Sequence, residues 1–375
     1  MKVAIIHDWL TNYGGAETFV ELLLSIYPEA EIFTLVYDIK KMKGHFENCK
    51  IHTSFVQKIP FASKFYTKFL TLMPRAFESF DLSSYDLVIS SSSSCAKGVI
   101  VPPYIPHIAY IHSPMRYAWD LFFDYKKRSG KITKFFMDQM MPSIRLWDYV
   151  SSQRVDTLIA NSKYIARRIK KFWNREAEVI YSPLNTERFY PDPNLKREDF
   201  YVAFSRLVPY KRIDLAIKAI KNTGKQLVII GGGSEEKKLK ELAHGDKNII
   251  FLGRTSDDVL RKNLQTCKAM IFCAEEDFGL APLEAQACGS PVIAFGRGGA
   301  TETVVDGITG VFFEEQTEVS LKNAITRFEN LYEKKAFTQE NIINQALSFN
   351  RERFVKEFTE TVERTKKNIK EQYQV

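Results

Sequence analysis

The chain opens on an apolar run, Lys2 to His7, which passes through Asp8-Trp9-Leu10-Thr11-Asn12-Tyr13-Gly14-Gly15 into helical spacing from Ala16 to Ser25. An uninterrupted apolar run of this length predicts a strand buried on both faces, and strand, glycine loop, helix is the order of a parallel α/β unit. Further strand-like runs at Glu31–Val36, Leu87–Ser90, Ile108–Ile111 and Thr157–Ala160 alternate with helical or loop segments, so one doubly wound parallel sheet is expected in the first half. Proline and turn residues then cluster at Tyr181-Ser182-Pro183-Leu184-Asn185 and Pro191-Asp192-Pro193-Asn194 without hydrophobic period, as in a linker. The alternation restarts with strands at Phe200–Ser205, Leu227–Ile230, Ile249–Leu252, Ala269–Cys273 and Pro291–Ala294. Helices are expected between them at Ile213–Lys221, Glu235–Leu242, Asp257–Gln265 and Pro282–Ala287.

The fold class is therefore α/β, with two doubly wound parallel-sheet domains over residues 1–183 and 184–354. The stretch from about Gln339 to Gln372 is charged and helical, and its last part, residues 355–375, has no sheet of its own and is expected to pack back on the first domain. Two such sheets joined by a hinge would face each other across a central cleft at the carboxyl ends of their strands, where α/β folds bind ligands.

Composition narrows the class. At 375 residues the chain is too long for one ordinary core, and 45% hydrophobic with 26% charged residues is the balance of packed domains. No run approaches the ~18 apolar residues of a spanning helix, and the first residues do not read as a signal peptide. The five cysteines, at 49, 95, 267, 273 and 288, form neither a paired framework nor a metal cluster, which suits a reducing cytosol. The formal charge of +8 favours an anionic partner: nucleic acid, nucleotide phosphates or a membrane surface.

The most informative stretch runs from Glu275 to Ala294. It follows a strand, turns at Gly279 and enters a helix with Pro282 near its first position, where proline's missing donor does no harm. The amides of Gly279, Leu280 and Ala281 are then available at the positive end of a helix dipole, a favourable place for phosphate. Glu276 precedes this turn and Glu284 is expected in the first helical turn, with seven residues between them. Glu284 suits a vicinal diol such as that of ribose, and Glu276 suits a sugar ring beyond the phosphates; taken singly, each also reads as an ordinary solvated acid. Arg206 follows the Phe200–Ser205 strand, and Lys211 and Arg212 lie just before the next helix, where cations oppose the helix dipole unless an anion is bound. His112 ends the Ile108–Ile111 strand, facing either a sugar hydroxyl or its own core.

Other motifs close off alternatives. Gly14 and Gly15 permit close approach of a ligand or merely a turn, Gly231-Gly232-Gly233 reads as structural, and Ser234 is a candidate helix cap. There is no Gly-x-Gly-x-x-Gly after the first strand and no Gly-Lys-Ser/Thr phosphate loop, which disfavours hydride transfer and nucleotide hydrolysis. Neither an Asp-x-Asp nor a histidine pair at metal spacing is present, so no cofactor or obligatory metal is expected.

At these residues the chain resembles the retaining glycosyltransferases of family 4, of the two-domain GT-B architecture. Glu276-Asp277-Phe278-Gly279 through Glu284-Ala285, Gly289-Ser290-Pro291-Val292 and Gly298-Gly299-Ala300-Thr301-Glu302 follow that family's two-glutamate signature and its sequel. His7-Asp8-Trp9-Leu10, Gly14-Gly15-Ala16-Glu17 and His112-Ser113-Pro114-Met115-Arg116-Tyr117 are similar to its O-antigen and exopolysaccharide mannosyltransferase branch. The resemblance implies a nucleotide-sugar donor, with GDP-mannose favoured over a UDP-sugar, and a lipid-linked oligosaccharide or glycan acceptor. By the same resemblance Arg206 and Lys211 hold the diphosphate, Glu276 and the amides of Phe278 to Ala281 hold sugar and phosphates, and Glu284 binds ribose. Gly14 and Gly15 would approach the diphosphate and His112 the transferred sugar. The run Leu184-Asn185-Thr186-Glu187-Arg188-Phe189 departs from the family's usual hinge.

Aromatic and basic residues interleave over Phe55–Leu70, at Lys126-Lys127-Arg128 and over Arg167–Trp173. They suit either an anionic inner-membrane surface or a solvated face with core aromatics. Cytoplasmic residence is expected, with peripheral attachment to the inner face of the cell membrane as its variant. A nucleic-acid reader fits the charge, but no reader motif is present and an acidic pair on a phosphate-binding loop would repel a polyanion.

Overall fold

The computed structural model describes residues 1–374 and divides the chain into two units. The first runs from Met1 to Ile180 and takes in the carboxy-terminal stretch from Val355; the second is Tyr181–Phe354.

In the first unit seven strands form one parallel sheet: β1 (Val3–His7), β2 (Glu31–Thr34), β3 (Ile51–Thr53), β4 (Leu87–Ser92), β5 (His107–Ile111), β6 (Thr157–Ala160) and β7 (Glu178–Val179). Their order across the sheet is β3-β2-β1-β4-β5-β6-β7. All residues of β1, β4 and β5 are buried, as expected of parallel strands covered on both faces. The strand order reverses between β1 and β4, so the connections that leave their carboxyl ends run to opposite sides of the sheet, the place where such sheets bind ligands.

One buried ion pair fastens the helices on this sheet. Lys97 Nζ donates to Asp148 Oδ1 at 2.6 Å, with the side chains 1% and 0% exposed. Asp148 Oδ2 also accepts from the indoles of Trp119 (2.8 Å) and Trp173 (2.7 Å), and the ammonium lies 4.8 Å from the Trp173 ring. The pair ties the turn after β4 to the Lys131–Gln153 and Lys163–Trp173 helices. Breaking such a pair from one side typically costs about 3–5 kcal/mol, because the remaining charge stays buried.

The carboxy-terminal stretch covers the first sheet's far edge. Thr361 Oγ1 donates to Glu178 on β7 at 3.0 Å, Arg364 pairs with the same carboxylate, and Thr365 meets Thr157 on β6 at 2.8 Å. Phe358 and Val362 are fully buried there.

The second unit repeats the architecture with β8 (Phe200–Phe204), β9 (Gln226–Ile230), β10 (Ile249–Gly253), β11 (Ala269–Phe272), β12 (Val292–Phe295) and β13 (Gly310–Phe313), all parallel, in the order β10-β9-β8-β11-β12-β13. Alternate residues feed two cores. Tyr201, Ala203, Leu227, Ile229 and Ile271 pack on one face, against Leu215, Ile217 and Phe328. Phe200, Val202, Val228, Ile230 and Met270 pack on the other, against Leu264, Leu283 and Ala346. The reversal of order falls between β8 and β11.

Several expectations change. The turn-rich segment read as a linker belongs to the second core: Leu184 and Phe189 are 2% and 1% exposed, and Leu184 N donates to Phe349 O at 2.8 Å. The charged stretch from Gln339 is two helices, Gln339–Leu347 and Arg351–Tyr373, and the first buries Ile342 and Ala346 in the second unit. Ser234 caps nothing; the Glu236–Ala243 helix has Glu235 at its cap position without a side-chain bond. Among the described residues no helix is long and apolar enough to cross a membrane.

Candidate active site

The residues singled out from β8 and β11 meet where the second sheet reverses its strand order. Arg206 leaves β8, and the 3-10 turn Pro209–Lys211 carries Lys211 back toward the sheet. Glu276 leaves β11. Lys211 Nζ forms an ion pair with Glu276 Oε1, both side chains being largely buried. Arg206 remains exposed and donates to the Tyr210 hydroxyl at 3.2 Å. Arg212 turns elsewhere. At φ 53° it occupies the left-handed region, and its guanidinium bonds Asp214 at 3.0 Å, so its charge already has a carboxylate and calls for no ligand.

Gly279 caps the Leu280–Ala287 helix at φ 81°, ψ 61°, a conformation that a side chain disfavours. Pro282 therefore stands at the third helical residue rather than the first, and Glu284 at the fifth, one turn deeper than expected. The amides of Leu280 and Ala281 lie in the first turn, where a helix supplies no carbonyl for them. The Phe278 side chain is buried and stacks on Tyr181, with centroids 5.6 Å apart, which anchors the turn to the core. A Gly298-Gly299 turn braces the loop from the other side, Gly299 N donating to Glu276 O at 2.8 Å. On the β8 side, Leu207 N donates to Gly232 O at 3.1 Å, so the triple glycine serves as a seat for the Arg206 loop.

Glu284 is shifted upward to about 7, chiefly because burial disfavours its charge; the neighbouring Asp257 and Glu276 add to this, against Arg188 and Lys211. Below the unfolded value of 4.5 the carboxyl is protonated in both states and contributes no difference. As pH rises from there through 7 the unfolded chain ionises first, so the native state loses up to about 3 kcal/mol. Glu284→Gln, which mimics the neutral acid, is expected to raise the urea midpoint at pH 8 and leave it unchanged near pH 4. An equal midpoint for both proteins at pH 8 would refute the shift.

In the first unit His112, Gly14 and Gly15 lie at or beside the corresponding reversal. Gly14 precedes the Gly15–Ile26 helix in extended backbone, a conformation open to any residue, and its carbonyl accepts from Thr18 N at 2.9 Å. His112 Nε2 meets Ser91 Oγ at 2.8 Å, Ser91 Oγ meets His7 Nδ1 at 3.2 Å, and His7 Nε2 lies 3.6 Å from Glu17 Oε1. Burial, helped by His7, holds the His112 imidazole down to about 3, so it is neutral at physiological pH and acts by hydrogen bonding rather than as a cation. Asp8 accepts from Ser93 N (2.6 Å) and Ala96 N (2.8 Å) and so fixes the turn after β4 beside them. His7, Glu17 and Ser91 had no assigned role in the sequence reading; His7 and Ser91 stand 84 positions apart and join only through the β1–β4 pairing.

Two doubly wound parallel-sheet units, one with a cation–carboxylate pair at its reversal point beside a glycine-capped helix start, have the architecture of GT-B glycosyltransferases. The sequence comparisons carry this to the level of domains: residues 13–188 match the Glycosyltransferase Family 4 model and residues 186–346 match that of Glycosyl transferases group 1. An uncharacterized glycosyltransferase of Methanocaldococcus jannaschii is 27% identical over 352 residues, covering 91% of this chain and 92% of the relative. A GDP-mannose-dependent α-(1-6)-phosphatidylinositol monomannoside mannosyltransferase of Mycobacterium tuberculosis is 29% identical over 198 residues, 45% of this chain and 51% of the relative. HepE of Anabaena, solved in complex with UDP, shares the fold with a TM-score of 0.71 over 97% of this chain and all of its own, at 17% identity.

Proposed function

We propose that the protein is a retaining mannosyltransferase that uses GDP-mannose, needs no metal, and acts on a lipid-linked oligosaccharide or polysaccharide acceptor at the cytoplasmic face of the membrane, in surface-glycan synthesis. The observation that carries this reading is the contact of Lys211 with Glu276 beside the Gly279-capped helix. In a sugar nucleotide the diphosphate and the sugar hydroxyls are likewise adjacent, so a cation next to a carboxylate offers each its natural partner.

On this reading Arg206, Lys211 and the amides of Phe278 to Ala281 hold the diphosphate, Glu276 holds the sugar and Glu284 accepts from the ribose diol. Gly14 and Gly15 lie against the diphosphate, and neutral His112 hydrogen-bonds a sugar hydroxyl. The bond from the anomeric carbon to the phosphate oxygen breaks as the acceptor oxygen bonds the same face. The acceptor proton passes to the leaving diphosphate. Lys211 and Arg206 stabilise the charge that accumulates there, the role a metal plays elsewhere. In support of the donor, the mycobacterial relative is named for GDP-mannose.

Thermal denaturation in EDTA with GDP-mannose, UDP-glucose, UDP-GlcNAc and the free nucleotides tests the donor. At one hundred times Kd the preferred donor stabilises by about 2.7 kcal/mol. A preference for UDP-glucose, the ligand of another HepE structure, would replace GDP-mannose, and no shift with any sugar nucleotide would refute the proposal. Proton NMR of the product decides retention of configuration.

A further inference from the structure

The Lys131–Gln153 helix carries two apolar faces. Met141 and Ile144 point into the first unit's core together with Asp148 and Ser151. On the opposite side Ile132, Phe135, Phe136, Leu146 and Val150 are exposed, Ile132 by 76%. Positions 132, 136, 139, 143, 146 and 150 recur at intervals of three and four, so these residues form one stripe interrupted only by Gln139 and Ser143. The preceding Phe122–Arg128 helix adds Phe123, 69% exposed, and Tyr125. Lys126, Lys127 and Arg128 end the first of these helices and Lys131 and Lys134 begin the second, against Asp124 and Asp138; Lys126 pairs with Asp138 at 2.5 Å, which leaves the other four cations for a partner.

Of the three basic-aromatic segments noted in the sequence, one buries its aromatics and another exposes only some of them. Over Arg167–Trp173, Arg168 bonds Asp120 at 2.5 Å, Phe172 stacks on Trp119 and Trp173 is buried. Over Phe55–Leu70, Val56 and Ala62 are buried and Tyr66, Phe69 and Leu70 pack on the core, while Phe55, Phe61 and Phe65 are exposed beside Lys58, Lys64 and Lys68 without the continuous stripe of the long helix.

An exposed apolar stripe of this length marks an interaction surface. The cluster of cations at one end selects the partner: large apolar side chains with Lys and Arg beside them match the boundary of an anionic bilayer, where rings enter the acyl region and ammonium groups meet head-group phosphates. We infer that the outward stripe of the Lys131–Gln153 helix, with the basic turn before it, docks the first unit on an anionic lipid surface. This deepens the proposed function by naming the face turned to a lipid-linked acceptor, yet vesicle binding itself requires no donor or turnover.

The test is co-sedimentation of the full chain with vesicles of phosphatidylcholine, alone or mixed with phosphatidylglycerol. Binding is expected only with the anionic lipid and is expected to weaken at high salt. Phe135→Ser with Phe136→Ser should lower the partition constant about 30-fold, and Lys127→Glu with Lys131→Glu about 20-fold. Circular dichroism establishes that the variants are folded; should the double phenylalanine variant unfold, Ile132→Ser probes the same stripe. Absence of vesicle binding by the wild type, or unchanged partition in these variants, would overturn the proposal. So would a wild-type dimer in sedimentation velocity that Phe135→Ser with Phe136→Ser makes monomeric, since the stripe would then cover a second copy. Vesicle binding without stabilisation by any sugar nucleotide would leave the docking surface standing and remove the donor assignment.

Discussion

Lys211→Ala is expected to lower kcat/KM with the preferred sugar nucleotide by about 10²–10³-fold, the range typical of removing one preorganised group aimed at developing charge. The neighbouring Arg212→Ala should cost less than about threefold. The contrast follows from their partners, because Lys211 reaches Glu276 across the sheet reversal while Arg212 is turned back onto Asp214 two residues along. Loss of the Lys211 ammonium leaves the largely buried Glu276 carboxylate without that partner, which should lower stability by about 1–3 kcal/mol, so a cooperative thermal transition above the assay temperature separates a chemical defect from unfolding. Steady-state kinetics on both variants decides. Near-normal turnover by Lys211→Ala, or equal losses in the two, would remove Lys211 from the donor site.

Gly299→Ala is expected to destabilise the second unit by about 3 kcal/mol and to abolish stabilisation by the donor. Backbone conformation argues the other way. At φ −66°, ψ −19° alanine is at ease, and such replacements commonly stabilise by about 0.4–1 kcal/mol. Space decides instead: a Cβ there would lie 2.3 Å from Phe278 Cα and 2.4 Å from its carbonyl oxygen, and backbone atoms cannot rotate away. The loop holding Glu276 and Phe278 must move, and with it the helix start at Gly279. Gly307→Ala is the matched control, since Gly307 has φ 74° but nothing within 4 Å of the added carbon; it should cost only the conformational strain of about 1 kcal/mol and leave donor binding intact. Urea denaturation and donor-induced thermal shifts of the two variants measure both effects, and a stable, donor-responsive Gly299→Ala would show that the brace is dispensable.

The acid–base behaviour of the site bears on any kinetic measurement. With Glu284 near 7, its ionised form grows from pH 6 to pH 8; with the ribose role proposed for it, donor affinity is expected to rise over the same window. Glu284→Gln is then a more stable protein with a weaker donor site, a trade commonly met at functional positions.

Short, wholly buried strands such as β1, β5 and β11 were legible because parallel strands covered on both faces leave unbroken apolar runs. The first sheet's edge strands were not. β3 is only half-buried and β7 is two residues long, so neither leaves a pattern distinct from a loop. The Lys131–Gln153 helix escaped for another reason: Pro142 interrupts it, and apolar residues on both faces blur the period that marks a one-sided helix.

By itself the chain's pattern established two doubly wound α/β units and the loop from Glu276 to Glu284 as the place to look, since burial and glycine-turn chemistry act over a few residues and are written locally. Tertiary structure alone brought Lys211 to Glu276 across 65 positions, put His7, Ser91 and His112 in one line, and turned Arg212 away. It also showed which aromatics are core and which are bare. The physical reason is that strand order across a sheet, which chooses the neighbours of every loop at its carboxyl edge, depends on the packing of whole layers and not on any spacing along the chain.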